Sequence, residues 1–215
     1  MTQLREALVA RDPALRSAHN AVPPIAWRLR PGGFAGLLQM IVEQQVSTHA
    51  AAAIWARVEM GLGDPVPDRV LALSEEDLRG FGLSRPKVRY ARALAEACRD
   101  GRLDFAALPR LADADAIKQL TAVPGIGLWT AELYLMFCEG RLNVFPGGDI
   151  ALQEAIRWAD QLEARPDTRA AYARAEVWQP NRAVAAHLLW AWYGRVKRGE
   201  VPPPHGGAPL RSETP

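Results

Sequence analysis

The sequence predicts an all-α fold, and three observations carry the prediction. Leu37, Leu38, Ile41 and Val42 fall at spacings of three and four, the repeat of one helix face. Alanine-rich segments alternate with Gly/Pro breakers. Period-two runs of β-branched residues, the mark of half-buried strands, are nearly absent apart from brief stretches near the N-terminus.

The elements follow in chain order. After the helix around 37–42, a second is predicted over 47–60, rich in alanine and carrying Ile54, Trp55 and Val58. GLGDPVPD at 61–68 breaks it. Ser74 followed by Glu75, Glu76 and Asp77 reads as a helix start, with acids at the positive end of the dipole. Further helices are predicted over 88–99, 113–120, 128–139, 149–164 and 182–197. From 201 the chain reads VPPPHGGAPLRSETP, and this Pro/Gly-rich stretch is predicted to be a flexible tail.

Composition bounds the function. At 215 residues and 49% hydrophobic, the chain can bury a sizeable core as one domain over 1–200. Lys and Arg total 26 against 24 acidic residues, and a net charge of +2 does not by itself announce nucleic acid. Cys98 and Cys138 form no CxxC pair, and with four histidines they show no metal-ligand spacing. The expectation is a reduced, cytoplasmic protein without a structural metal or iron–sulfur cluster. The start, MTQLREALVARD, is too polar for a signal peptide, and no apolar run approaches the ~20 residues a membrane span needs.

Chemistry concentrates in two short motifs. Between the helices predicted over 113–120 and 128–139 lies TAVPGIG. Pro124 fixes φ there, and Gly125 and Gly127 permit close approach of the backbone. Backbone amides around Gly125, Gly127 and Thr130, at the positive end of the following helix, form a site for an anion such as a DNA phosphate. An ordinary αα-turn with a glycine cap reads the same way. About twenty residues on, NVFPGGDIALQEAIRW delivers Asp149 to a helix start. Asp is a common N-cap, but a cap needs no Gly-Gly approach.

This hairpin, followed by an Asp flanked by Gly and Pro, resembles the helix-hairpin-helix DNA glycosylase superfamily, and within it the alkylpurine branch, 3-methyladenine DNA glycosylase II. The resemblance covers roughly residues 30–198. It implies a two-lobed helical fold, one lobe over 34–112 and the other over 113–200 with the N-terminal segment. Asp149 would lie on one side of a cleft and the hairpin on its rim. The β-containing domain that some members carry ahead of residue 30 is not expected, because too few residues precede that point.

The resemblance also implies a monofunctional enzyme of base excision repair. It would flip an alkylated base such as 3-methyladenine or 7-methylguanine from double-stranded DNA and cut its bond to the sugar. Asp149 falls at the catalytic aspartate, and would stabilise the cation-like sugar, position or activate water, or do both. Bifunctional members carry a lysine nucleophile where Trp129 stands, so an abasic site should remain. Trp129 and Trp190 are expected at the base pocket, Trp190 as an indole stacking on the flipped, cationic base. The family's pocket tyrosine falls on Leu133, with Tyr134 one residue later on another helical face. In LLQMIVEQQVSTHAA, Gln45 aligns with the wedge that fills the hole left by the flipped base, and Gln44 with its support.

From 79 to 102 there are seven basic residues and two acidic ones, and Ser84 and Lys87 there suggest a second phosphate anchor. Carbonyls of Thr121, Val123 and Ile126 match positions that hold Na+ or K+ in the family; no other cofactor is expected. The expected state is a monomer at the bacterial nucleoid. Two other readings stay open: a glycosylase for another lesion class, and a non-catalytic DNA-binding hairpin protein, for which Asp149 would have no use.

Overall fold

A computed structural model describes residues 2–27 and 29–204, so most of the predicted tail, 205–215, lies outside the described residues. The α-helices are α1 (Thr2–Arg11), α2 (Arg16–Ala21), α3 (Gly33–Glu43), α4 (Thr48–Leu62), α5 (Pro67–Ala72), α6 (Glu75–Gly80), α7 (Arg85–Arg99), α8 (Asp113–Thr121), α9 (Leu128–Phe137), α10 (Ile150–Ala159), α11 (Thr168–Ala175) and α12 (Arg182–Lys197). No strand occurs among the described residues, and no helix there is long and apolar enough to cross a membrane. The chain divides into two compact units, Leu29–Gly140 and Met1–Arg28 with Arg141–Pro215.

Within Leu29–Gly140, α3 is the central helix, with Leu37, Leu38, Ile41 and Val42 all buried. It packs on α4, α7 and α9. Each fully buried leucine there removes enough apolar surface from water to stabilise the fold by about 2 kcal/mol. α7 is amphipathic: Val88, Ala91, Leu94 and Ala95 face inward, while Arg85 and Arg89 stay exposed. α6 begins with the capping box foreseen at Ser74, closed by Asp77.

The hairpin α8–α9 belongs to this unit, which moves the expected boundary from 112 to Gly140. The reason is a set of long-range bonds. The Tyr134 hydroxyl accepts from the Gly33 amide at 2.8 Å, and the Arg30 amide donates to the Phe137 carbonyl at 2.7 Å. The Gln44 side chain adds a further tie to the turn.

In the other unit α12 packs against α10, α1 and α2. Trp178 is fully buried, and its indole N–H donates to Asp12 at 2.7 Å. Arg174 bridges Asp12 and Asp160, both at 2.6 Å. Burial alone would raise the Asp12 carboxyl, but hydrogen bonds from Arg174 and Trp178 hold it below its ordinary value.

Three sequence expectations change. The N-terminal stretch forms α1 and α2, with only Arg5 and Leu8 of α1 buried. α4 runs on to Leu62 and stops where Gly63 takes φ 70°; Pro67 then opens α5 inside the stretch read as a breaker. α10 ends at Ala159, short of 164, because the Asp160 carboxylate is drawn to Arg174 and Gln161 adopts φ 56°.

Candidate active site

Asp149 is placed by a clamped loop. Val144, Phe145, Pro146 and Gly147 are buried, and the Gln153 side-chain amide donates to the Gly147 carbonyl at 2.8 Å. A Cβ on Gly147 would stand 2.9 Å from the Tyr172 ring, so the fold itself requires glycine there. Gly148 is different: it is exposed, and a Cβ would meet nothing within 4 Å. Asp149 then caps α10. Its Oδ1 accepts from the Leu152 amide at 3.0 Å and from the Trp190 indole N–H at 3.0 Å. Two residues singled out from sequence, on α12 and at the start of α10, are thus in direct contact.

Trp190 is half-buried and held on its other side by aromatic neighbours. The His187 ring lies edge-on to it, with centroids 6.2 Å apart, and Trp27 packs on His187 at 4.3 Å. Burial lowers His187 to a pKa of about 4, so its ring is neutral at physiological pH. Trp178 and Trp192 are core residues, and Trp192 and Tyr193 both pack on Trp158.

In the unit Leu29–Gly140, the turn of the hairpin has its own two kinds of glycine. Gly125 sits at φ 91°, and a Cβ there would lie 2.2 Å from the Tyr90 ring. Gly127 is the N-cap of α9 at φ −81°, with nothing within 4 Å of a Cβ and no side-chain cap bond. The first turn of any helix has amides without an intrahelical acceptor, at the positive end of the dipole. The turn is braced from α3: the Gln44 side-chain amide donates to the Gly125 carbonyl at 3.1 Å and to Thr130 Oγ1 at 3.3 Å. Thr130 is buried, with its hydroxyl oxygen turned to the Gln44 amide. Gln45, next in the chain, is exposed and takes the left-handed φ of 54°, which disfavours any residue with a Cβ.

Trp129 and Leu133 line a cavity of about 160 Å³ together with Gln44 and Gln45. Trp129 is 43% exposed, unusual for a tryptophan with only a packing role. Tyr134 turns away, as its different helical face requires, and is buried on Gly33. Arg30 and Glu43, which no motif singled out, also line this cavity.

Of the second phosphate anchor, Ser84 is exposed at the start of α7 with no side-chain cap bond. Lys87 corrects the sequence reading: it is buried, and its ammonium donates to the Val42 carbonyl at 2.8 Å near the end of α3, so its charge is turned inward, while Arg85 and Arg89 remain exposed. Arg92 is likewise turned to the Leu73 carbonyl, at 2.9 Å. At the expected cation position, the Val123 carbonyl accepts the Ile126 amide at 3.0 Å, whereas no such bond to the Thr121 or Ile126 carbonyl occurs among the described residues.

Two helices joined by a glycine turn that presents amides make this a helix-hairpin-helix protein. The family model described as HhH-GPD superfamily base excision DNA repair protein matches residues 38–180, and the chain belongs to that superfamily. The structure of DNA-3-methyladenine glycosidase from Bacillus halodurans is 35% identical, covers 89% of either chain and superposes with a TM-score of 0.80. The 3-methyladenine DNA glycosylase of Schizosaccharomyces pombe, solved in complex with abasic DNA, is 25% identical over 87% of this chain and 95% of that one, with a TM-score of 0.76. YfjP of Bacillus subtilis is 32% identical over 72% of this chain, which spans 56% of that longer relative.

Proposed function

We propose that this protein is a monofunctional DNA glycosylase of base excision repair, which flips alkylated bases such as 3-methyladenine and 7-methylguanine out of double-stranded DNA and releases them by hydrolysis, leaving an abasic site. The observation that carries the reading is Asp149, a carboxylate delivered by an exposed glycine and seated on the Trp190 indole N–H. The relatives with glycosidase and glycosylase names, one of them solved on abasic DNA, support the same activity.

The chemistry follows from charge. Breaking the bond between base and sugar builds positive charge on the sugar, and a fixed carboxylate stabilises it with little reorganisation. An alkylated purine that is already cationic leaves as a neutral base, so protonation by a strong general acid is not required. Trp190 contributes an electron-rich face for such a base. Trp129, where bifunctional relatives carry lysine, leaves no amine to form a Schiff base, so the strand stays uncut.

The DNA backbone would bind at the amides of the turn around Gly125 and Gly127, with Na+ or K+ on the Thr121, Val123 and Ile126 carbonyls linking turn to phosphate. Gln45 would serve as the wedge, its left-handed backbone aiming it outward, while Gln44 holds the turn. No further cofactor is needed. The protein would act as a monomer on chromosomal DNA in the cytoplasm.

Base release from methylated duplex DNA tests the proposal. Wild type should release free methylpurines without nicking the strand, and Asp149→Asn should not. Duplex binding without release from any methylated substrate would instead favour a binding module or another lesion class.

A further inference from the structure

The cavity beside Trp129 and Leu133 is lined by neutral side chains, with two exceptions. Arg30 and Glu43 are the formal charges on its wall, and they face each other at 2.6 Å. Each side chain retains about a third of its exposure, 35% for Arg30 and 33% for Glu43, so both still present surface to a ligand. Arg30 is fixed from behind by its amide on the Phe137 carbonyl. Glu43 is the last residue of α3, the negative end of the helix dipole, where a carboxylate is disfavoured. A residue that breaks a local rule without gain to the fold is a candidate for function.

We infer that the Arg30–Glu43 pair sets the charge preference of this cavity, selecting positively charged alkylated purines over neutral damaged bases. The inference rests on the glycosylase reading and extends it to residues no motif marked. Seen from afar the pair is neutral, but a base in contact with it meets individual atoms. The Glu43 carboxylate attracts the cationic ring and accepts from an exocyclic amine. Arg30 competes for the same carboxylate oxygens and repels the cation. The two residues therefore act with opposite signs on one quantity, the ratio of cationic to neutral substrate. A merely structural ion pair at this exposure contributes little and would alter all substrates alike.

The test compares Glu43→Gln and Arg30→Met with wild type in single-turnover base release. One duplex carries a 7-methylguanine, which is cationic, and the other a 1,N6-ethenoadenine, which is neutral. Glu43→Gln should lower the cationic-to-neutral rate ratio about fivefold, and Arg30→Met should raise it severalfold, as expected for one charge removed about 4 Å from the base at a partly exposed site where the dielectric is close to that of water. Where the neutral duplex turns over too slowly, the affinity ratio for the same two duplexes, measured in an Asp149→Asn background, reads the same preference. Thermal melting of both variants serves as the folding control. Equal changes for both substrates, or a ratio moved the same way by both substitutions, would overturn the inference while leaving the glycosylase reading in place. No release by wild type from either duplex would overturn both.

Discussion

Replacing Asp149 separates the cap that the structure shows from the charge that the proposed chemistry needs, because only the second requires a negative oxygen. Oδ1 accepts from the Leu152 amide and the Trp190 indole, each at 3.0 Å. Asparagine keeps an oxygen in that place and is as good an N-cap as aspartate, so Asp149→Asn should change stability by less than about 0.5 kcal/mol. Alanine loses the cap, worth about 1 kcal/mol, and leaves the indole without this acceptor, worth about 1 kcal/mol more at a half-buried site. For a chain of this size those losses together lower Tm by roughly 4–8 °C. Activity divides otherwise. Both variants lose the negative charge, and removal of one fixed electrostatic group from such a site typically slows the chemical step by about 10²–10³-fold. Single-turnover release of 7-methylguanine, beside thermal melting, reads both quantities. An Asp149→Asn variant that melts like wild type yet releases base at the wild-type rate would refute the electrostatic role. One that melts as low as Asp149→Ala would refute the account of the cap.

The glycines make a second prediction: Gly125→Ala, forced to φ 91° against Tyr90, should lose about 2 kcal/mol or more, whereas Gly148→Ala should melt at or above wild type and Gly127→Ala, where the poorer N-cap offsets the entropy gain, close to it, and both should bind duplex DNA more weakly by fluorescence anisotropy. Gln45→Gly should relieve the backbone at φ 54° and gain up to about 1 kcal/mol, while slowing base release because the wedge is gone. His187 should make stability depend on pH. The unfolded chain protonates it near 6.5 and the folded protein only near 4, so between these values the unfolded state binds more protons. Stability therefore falls as pH drops from 6.5 to 4, by up to about 3 kcal/mol, and urea midpoints across that range should flatten in His187→Gln.

The helices legible in the sequence are those with large apolar residues on one face or all round. α3 and α12 were readable for that reason, and α12 spans the predicted 182–197. α1 and α11 were not, because α1 buries only Arg5 and Leu8, and α11 only Ala171 and Ala175, too little for any pattern. At the site, Asp149 and Trp190 could be named one by one, since each sits in a motif. Their hydrogen bond could not, because it joins residues 41 apart through the packing of α10 on α12. Lys87 was misread for the same kind of reason. In sequence it is one more cation at a basic helix start, and its partner, the Val42 carbonyl, lies 45 residues away. Arg30 and Glu43 escaped notice altogether, since 13 residues separate them and neither belongs to a turn or cap signature.

The two Gly-Pro motifs look alike as strings, yet the structure shows that they prepare their helix starts in opposite ways. In each, one glycine is demanded by the fold, Gly125 by Tyr90 and Gly147 by Tyr172. In each, a second glycine is not, and Gly127 and Gly148 would accept a Cβ without collision. An unneeded glycine costs the folded state up to about 1 kcal/mol in chain entropy, so its presence asks for another cause. At α9 the N-cap is Gly127 itself, which provides no side-chain oxygen. Serine or aspartate there would stabilise the helix, but would occupy the amides with the protein's own acceptor and, in the case of aspartate, repel a phosphate. At α10 the N-cap is Asp149, so that helix start is already taken by a carboxylate. One helix start thus carries no side-chain oxygen and the other carries a carboxylate, and the proposed function uses the first for a phosphate and the second for a sugar cation. That is the division a DNA glycosylase requires, since its substrate brings negative phosphates and its transition state a positive sugar.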